Sequence, residues 1–407
     1  MMPKLPGGSP EPAFRRPDLS RRLNRSRILL AIRRHAPVTR QGLEQITGLA
    51  AGTVQVIVDE LLAEGLLVAA RVPAAGASGR GRPRLLLELN SRAALIAGVG
   101  VFGPDRMQFE IADLGGGRIA ALESSTPLPG SGPALADAIA GGLDQLAGQA
   151  GVAIGDLAGV GVGLPGLVDS VSGVVRWAPG IVAESYPLAD VLQARLGVPV
   201  NVDNTANVAA RAEYWFSEPR TDDFAVVLVG QGVGMGFYVA GALVTGPAGM
   251  AGEIGHMKMG LNSPIRCVCG AWDCVTAHVS QASIVRQGLG LGFEGRPDNW
   301  RAATNEVLAR AQSGDPRITA ILDGAAGVLG KAVANVATLI GPARIVIQFE
   351  AGVMAGLMGP ALTRAFEAQV LPQIRERTEL VLRPGLSSLG HGAAAFALER
   401  IYAGPQI

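Results

Sequence analysis

All three cysteines of the chain, Cys267, Cys269 and Cys274, fall in one short stretch just beyond His256. Three thiols and an imidazole within 19 residues supply four soft-to-borderline ligands, the set a closed tetrahedral zinc site needs. A single buried cysteine needs no metal. Cys-x-Cys-x4-Cys behind a histidine is different, because its loop is too short to bury a core and a metal would hold it in place. Gly270 and Pro264 suit the tight turns that fold both ends of the loop onto one ion. With His256, Cys267, Cys269 and Cys274 filling all four positions, no place remains for an activated water. The expected zinc is therefore structural, one per chain.

The rest of the composition sets the compartment. Cysteines confined to a metal-like cluster argue for a reducing cytoplasm rather than a disulfide scaffold. Hydrophobic residues make up 48% of 407, yet no uninterrupted apolar run reaches the roughly 18 residues of a membrane span. Pro3, Pro6, Pro10 and Pro12 exclude a signal-peptide core at the start, so a soluble cytoplasmic protein is expected. The net charge of +1 conceals an asymmetry: residues 1–90 hold 14 Lys+Arg against 7 Asp+Glu, and the remainder 21 against 27. A basic first quarter on a mildly acidic body points to a nucleic-acid-binding head.

The pattern of that head agrees. Residues 1–19 read as a disordered arm, and 20–90 as a DNA-binding domain. From Ser20, Leu23, Ile28, Leu29 and Ile32 define a helix face that Pro37 ends. Thr39 caps a short helix through Ile46, with Leu43 and Ile46 expected inward, and Gly48 turns the chain into a third helix from Thr53 to Leu62. This is a helix-turn-helix, the third helix entering the major groove. Two strands, 66–68 and 85–89, flank a loop ending Gly79-Arg80-Gly81-Arg82-Pro83-Arg84, a wing slim and cationic enough for the minor groove. Arg40, Thr53, Gln55, Arg80, Arg82 and Arg84 are the candidate contacts to double-stranded operator DNA.

From Ala94 short apolar strands alternate with Gly-rich turns and helices, an α/β pattern. Strands are expected at 95–102, 107–113, 198–203, 224–229 and 344–349, and 157–169 reads as a strand running into a Gly-rich loop. Helices are expected at 133–150, through Glu213, and at 279–287, 300–312, 316–339, 360–375 and 391–402. The turn Gly230-Gln231-Gly232-Val233-Gly234-Met235-Gly236 follows the strand at 224–229.

The combination of Gly161–Asp169, Asp203-Asn204-Thr205-Ala206-Asn207, Gly252-Glu253-Ile254-Gly255-His256 and the cysteine motif resembles the ROK family over roughly residues 20–403. One extra residue separates His256 from Cys267 relative to that family. The resemblance implies an N-terminal winged helix-turn-helix followed by a two-lobed, actin-like ATPase fold of the ROK sugar-kinase type. Lobe 1 would span 91–202, completed by a helix at about 388–403. Lobe 2 would span 203–387, with the zinc loop at 256–274.

Family members are either sugar kinases or transcriptional regulators, and several positions depart from the kinases. Gly98–Pro104 stands where the kinases have an Asp-x-Gly-Gly-Thr phosphate turn, and it lacks both carboxylate and threonine. Gln231 replaces the threonine of the second phosphate turn, and Gln348-Phe349-Glu350 the adenine-side glycines. Thr205 stands where the kinases place their aspartate base, and a neutral hydroxyl is no general base near pH 7. Asn204, Glu253 and His256 match positions that hydrogen-bond sugar hydroxyls, whereas Gly180 and Thr276 replace two further polar groups.

The expectation is a non-enzymatic DNA-binding regulator, a repressor, with a sugar or sugar-derivative effector, acting as a homodimer or dimer of dimers. A ligand closing the cleft would change the spacing of its two heads. The rival readings are an active ATP-dependent sugar kinase with an accessory DNA-binding head, and a ligand-independent regulator controlled by a protein partner. His35, His278 and His391 are expected to be surface or packing residues.

Overall fold

A computed structural model describes residues 16–403, apart from 73–83, 104, 126, 129, 219, 220, 248 and 298. The arm up to residue 15 and the wing tip with Arg80 and Arg82 lie outside the described residues. Two compact units divide the chain: residues 1–94, 113–117 and 398–407 form one, and 95–112 with 118–397 the other.

In the first unit, α1 (Arg16–His35), α2 (Arg40–Thr47) and α3 (Ala51–Ala63) precede the antiparallel pair β1 (Leu67–Val72) and β2 (Arg84–Leu89). Residues 16–19, expected in the arm, are helical. The Thr39 hydroxyl accepts the N–H of Gly42 and caps α2, and Gly48 closes the helix with φ 67°. Val38 and Leu87 exchange backbone bonds of 3.1 and 2.8 Å, tying the helix-turn-helix to the wing strand. The core gathers Ile28, Leu29, Ile32, Leu43, Val54, Ile57, Val58, Leu61 and Leu87.

Two expected core residues face solvent instead: Leu23 is 56% exposed and Ile46 44%. Helical spacing explains both. The stripe that buries Ile28, Leu29 and Ile32 continues backward to position 25, and that of Leu43 forward to position 47. Arg25 therefore turns inward, bidentate to Glu64 at 2.5 and 2.8 Å, and the Thr47 hydroxyl donates to the Leu43 carbonyl.

The second unit holds two five-stranded sheets. The first contains β3 (Leu95–Gly103), β4 (Arg106–Asp113), β5 (Arg118–Ser124), β6 (Leu157–Leu164) and, beyond the small hairpin β7 (Leu167–Asp169) and β8 (Val174–Trp177), β9 (Val200–Asn204). Its order is β5-β4-β3-β6-β9, with β6 parallel to both neighbours. Helices α4 (Gly132–Ala150) and α5 (Leu188–Leu196) cover it, and α6 (Thr205–Phe216) leaves directly from β9.

The second sheet, ordered β12-β11-β10-β13-β14, comprises β10 (Phe224–Val229), β11 (Val233–Val239), β12 (Ala242–Leu243), β13 (Arg344–Phe349) and β14 (Glu379–Pro384). Its helices are α7 (Val275–Val279), α8 (Gln281–Leu289), α9 (Trp300–Gln312), α10 (Pro316–Ile340), α11 (Val353–Gln369) and α12 (Pro372–Arg375). β10 is buried at every position, the continuous apolar run of a strand covered on both faces. By length and composition α10 could cross a membrane, yet Leu322, Leu329, Val333 and Val336 put it in this lobe's core.

Four expected boundaries shift. Asp203 and Asn204 pair with Gly163 and Leu164, so both belong to the first sheet. Only Gly230–Gly232 turn, because Val233 onward pairs back on β10. The helix expected at 279–287 breaks at Ser280, and that expected at 360–375 begins at Val353 and accommodates Pro360. Gly98 and Gly100, in the stretch aligned with the kinase phosphate turn, lie inside β3, within the strand expected at 95–102.

The last helix, α13 (Leu389–Ala403), explains those glycines. A Cβ on Gly98 would come 1.9 Å from the Gly390 carbonyl oxygen, and one on Gly161 1.8 Å from that of Ala393. Backbone meets backbone there, with α13 lying against β3 and β6.

Candidate metal centre, ligand cleft and nucleic-acid interface

The cysteine loop is built as a knuckle. Cys267 donates its N–H to the Ala271 carbonyl, Gly270 (φ 85°) donates back to Cys267, and Arg266 bridges Trp272. Lys258 bridges Cys274, and Asp273 accepts the Leu261 N–H at 2.8 Å, pinning the strand that leaves His256 against the loop. Among the described residues, Cys267 and Cys274 are buried with Ala277 against Ile265 and Ala271, a small core for a loop of this length.

The four ligand atoms all lie within 4.8 Å of one another. His256 Nδ1 is 3.7 Å from Cys267 Sγ, and Cys269 Sγ is 3.7 Å from Cys274 Sγ. An ion with metal–sulfur bonds of about 2.3 Å holds its tetrahedral corners about 3.8 Å apart. The cluster therefore has the size and donor set to hold a metal ion.

Electrostatics follow the same geometry. Burial pushes the Cys267 thiol up to about 12, and burial followed by the charge of Lys258 holds His256 below its ordinary value. Lys258 Nζ lies 2.6 Å from Cys274 Sγ, a positive charge beside three potential thiolates. No sequence motif marked Lys258. Nor did one mark Asp273, which sits at φ 61° and also meets His278 Nε2 at 3.1 Å.

The segment entering this centre is shaped by two glycines. A Cβ at Gly252 would lie 2.2 Å from the Met235 carbonyl oxygen, and one at Gly255 2.0 Å from that of Val233. The segment can press onto β11 only as Gly-x-x-Gly, with Glu253 left solvent-reached between them. Surrounding protein nevertheless raises the Glu253 carboxyl above its ordinary value by desolvation.

Asn204, the third sugar-type residue, is the N-cap of α6, its Oδ1 accepting the Asn207 N–H at 2.8 Å. Its amide N–H groups remain for a ligand. Beneath it Asp203 is fully buried, accepting from the Asn204 backbone (2.7 Å), Asn207 Nδ2 (2.9 Å) and Arg211 (2.7 Å). Arg211 stacks its guanidinium 3.8 Å from the Phe396 ring centre. Asp203 is thus a structural counter-ion. Thr205, expected at the kinase base position, buries its hydroxyl oxygen with no partner.

The stretches expected to stand for the kinase phosphate and adenine turns meet through Glu350 and Arg106. Glu350 accepts the backbone N–H of Gln231, and its Oε1 lies 2.9 Å from Arg106, whose guanidinium stacks over Phe102. A Cβ on Gly230 would lie 2.5 Å from Glu350 Oε2. On the other side, a Cβ on Gly100 would come 2.4 Å from that of Leu389, leaving no space for a carboxylate there.

Two histidines expected to be surface or packing residues have carboxylate partners. His278 pairs with Asp273, and His391 Nδ1 meets the buried Glu110, which also holds Arg118 and Ser388. Burial pushes the Glu110 carboxyl up, but the bonds from His391 and Arg118 outweigh it and leave the group below its ordinary value.

In the first unit, Gln55 and Val56 project from the exposed face of α3, whereas Thr53 is half-buried. Asp59, one turn on, accepts both Gln55 Nε2 and Arg40 at 2.6 Å. Arg84 begins β2.

The ROK family model matches residues 100–400, and that of the MarR family residues 18–77. The DNA-binding transcriptional dual regulator NagC of Escherichia coli (strain K12) is 28% identical, covering 94% of this chain and 93% of its own length. A glucokinase of Thermotoga maritima is 31% identical over 60% of this chain and 80% of its own. A solved ROK family transcriptional regulator, described as a homologue of the E. coli MLC protein, superposes with a TM-score of 0.78 at 23% identity, covering 94% of this chain and 97% of that one. The chain therefore belongs to the ROK family and, with a winged helix-turn-helix ahead of its ROK domain, is a transcriptional regulator of that family.

Proposed function

We propose that this regulator is a cytoplasmic repressor whose ROK domain senses a sugar or sugar derivative without phosphorylating it. The observation that carries this reading is the carboxylate of Glu350 inside the Gly230–Gly232 turn. Phosphoryl transfer is almost wholly the positioning of phosphates and metal. In that turn Glu350 already takes the Gln231 N–H and the space beside Gly230 that a phosphate would need. Thr205 has no charge with which to take a proton, and the surroundings of Gly100 admit no carboxylate to replace the lost one.

His256, Cys267, Cys269 and Cys274 hold one structural zinc ion in this proposal, with Lys258 offsetting the negative charge of a three-thiolate site. Asn204 and Glu253 bind effector hydroxyls, and His256 links their pocket to the metal through its other ring nitrogen. Two-fold dimers present paired heads to a palindromic operator. Arg80, Arg82 and Arg84 of the wing bind by charge.

The test is operator affinity with and without each of a panel of sugars, beside an assay of ADP release on the same panel. A sugar that shifts operator affinity with no ADP release supports the sensor. ADP release above background would replace it with a kinase. Changing Arg80 and Arg82 to Ala should weaken operator binding and flatten its salt dependence.

A further inference from the structure

We infer that α3 reads an adenine–thymine step in the major groove. Gln55, oriented by Asp59, pairs with the adenine edge, and Val56 packs on the thymine methyl group. Bare backbone at Ala51 and Gly52 lets the helix approach closely. The inference rests on the DNA-binding reading above and adds the base class that the head selects.

Gly52 is the first observation. It lies in the first turn of α3 with no left-handed φ, and a Cβ built on it meets nothing within 4 Å. Glycine weakens a helix, and neither conformation nor packing within the protein calls for one here. What a side chain at position 52 would obstruct lies outside the chain.

Val56 is the second. It is 55% exposed, and its direction is fixed because Val54, Ile57, Val58 and Leu61 are buried on the opposite face of the same helix. One valine between Gln55 and Asp59 is far too small an apolar patch for a protein partner. It does match a single methyl group, and the thymine methyl is the apolar feature of the major groove.

The third observation is the polar pair. Asp59 takes one N–H of Gln55 and the guanidinium of Arg40, each at 2.6 Å. Gln55 is thereby held in place with Oε1 and its second N–H available, the acceptor and donor that adenine N6 and N7 require. Arg40 neutralises Asp59 next to the DNA phosphates. The residues of α3, AGTVQVIVDELLA, include no Lys or Arg, the side chains that read guanine.

The test starts with full-length protein and selection from a randomised duplex pool without added sugar. Each selected half-site should contain an A·T pair whose functional groups are then removed singly. Uracil in place of thymine should weaken wild-type binding about fourfold, as expected for one buried methyl, and Val56→Ala should be indifferent to that change. With 7-deazaadenine, which lacks N7, wild-type binding should weaken by about fivefold or more, and Gln55→Ala should be indifferent. Gly52→Ala should raise the melting temperature yet weaken binding, a combination that a purely structural glycine cannot give.

No enriched duplex at all would overturn both the DNA-binding reading and this inference. Half-sites that are enriched but contain only G·C at the positions answering to α3 would overturn this inference alone. So would a Val56→Ala protein that keeps the uracil penalty.

Discussion

Glu350 and Arg106 form an ion pair of 2.9 Å between the turn after β13 and the start of β4, while the same carboxylate accepts the Gln231 N–H. The pair joins the sheet of β13 to the sheet of β4. Both side chains are partly exposed, so its contribution to stability is only about 1 kcal/mol or less. Its effect on ligands is one of occupancy: the Glu350 carboxylate takes the Gln231 N–H and the space beside Gly230.

Wild-type protein should accordingly bind no ATP in titration calorimetry and release no ADP with any sugar. Thr205→Asp alone should remain inactive, since a restored base has no positioned phosphate to work with. Adding Glu350→Ala should allow weak nucleotide binding but still no turnover. Sugar-dependent ADP release by Thr205→Asp alone would show that the phosphate turns are intact.

Glu253 is destabilising as a charge. Its folded pKa is raised above the ordinary 4.5 by desolvation, so its favourable contribution is complete below that value and is lost as pH rises through the folded pKa. Glu253→Gln should melt higher than wild type at pH 7, with the gain vanishing near pH 4. Glu350 has the same sign but is common to both proteins, so the difference between their melting curves isolates Glu253. A gain that is constant across pH would assign the effect to packing instead.

Asp203 and Arg211 are both almost fully buried, so removing one partner leaves an uncompensated charge. Asp203→Ala should cost about 3–5 kcal/mol in urea unfolding. Asp203→Ala combined with Arg211→Met should recover much of that loss. If the double variant is no more stable than the single, the pair's role is to hold Asn204 and Asn207 rather than to cancel charge.

How legible these features were in the sequence depended on distance along the chain. The zinc-type cluster could be read because its four ligands fall within 19 residues, and the winged helix because capping and turn signals at Thr39 and Gly48 are local. Strands such as 224–229 and 344–349 were exact because they are apolar runs bounded by turns. The Arg106–Glu350 and Asp203–Arg211 pairs were not legible. The first spans 244 positions, and the second needs the β9-to-α6 geometry to bring its members together. Gly98 and Gly100 looked like a damaged phosphate turn, whereas their absent side chains admit α13, nearly 300 residues later.

The metal prediction is quantitative. Protein prepared without chelator should contain about one zinc per chain by elemental analysis, and Cys269→Ser should lose it. Lys258→Met should weaken retention against a chelator without abolishing it, because lysine supplies charge and not a bond to the ion. Protein free of metal under these conditions would refute the zinc assignment.

The last prediction separates sensing from DNA binding. Asn204→Ala removes an amide together with the cap of α6, a cost of about 1 kcal/mol, so Asn204→Asp, which keeps the cap, is its control. If sugar hydroxyls need the amide donor, both variants should lose effector response. Glu253→Ala should lose it as well, while stability at pH 7 is unchanged or improved. All three should bind operator without effector as tightly as wild type, because α1, α2, α3 and the wing strands bury a core of their own. The measurement is operator affinity with and without effector for each variant, beside its melting temperature. Loss of basal operator binding in a stably folded Glu253→Ala protein would mean that the cleft supports the DNA-binding state itself, and the sensor would then be a structural part of the repressor rather than a switch acting on it.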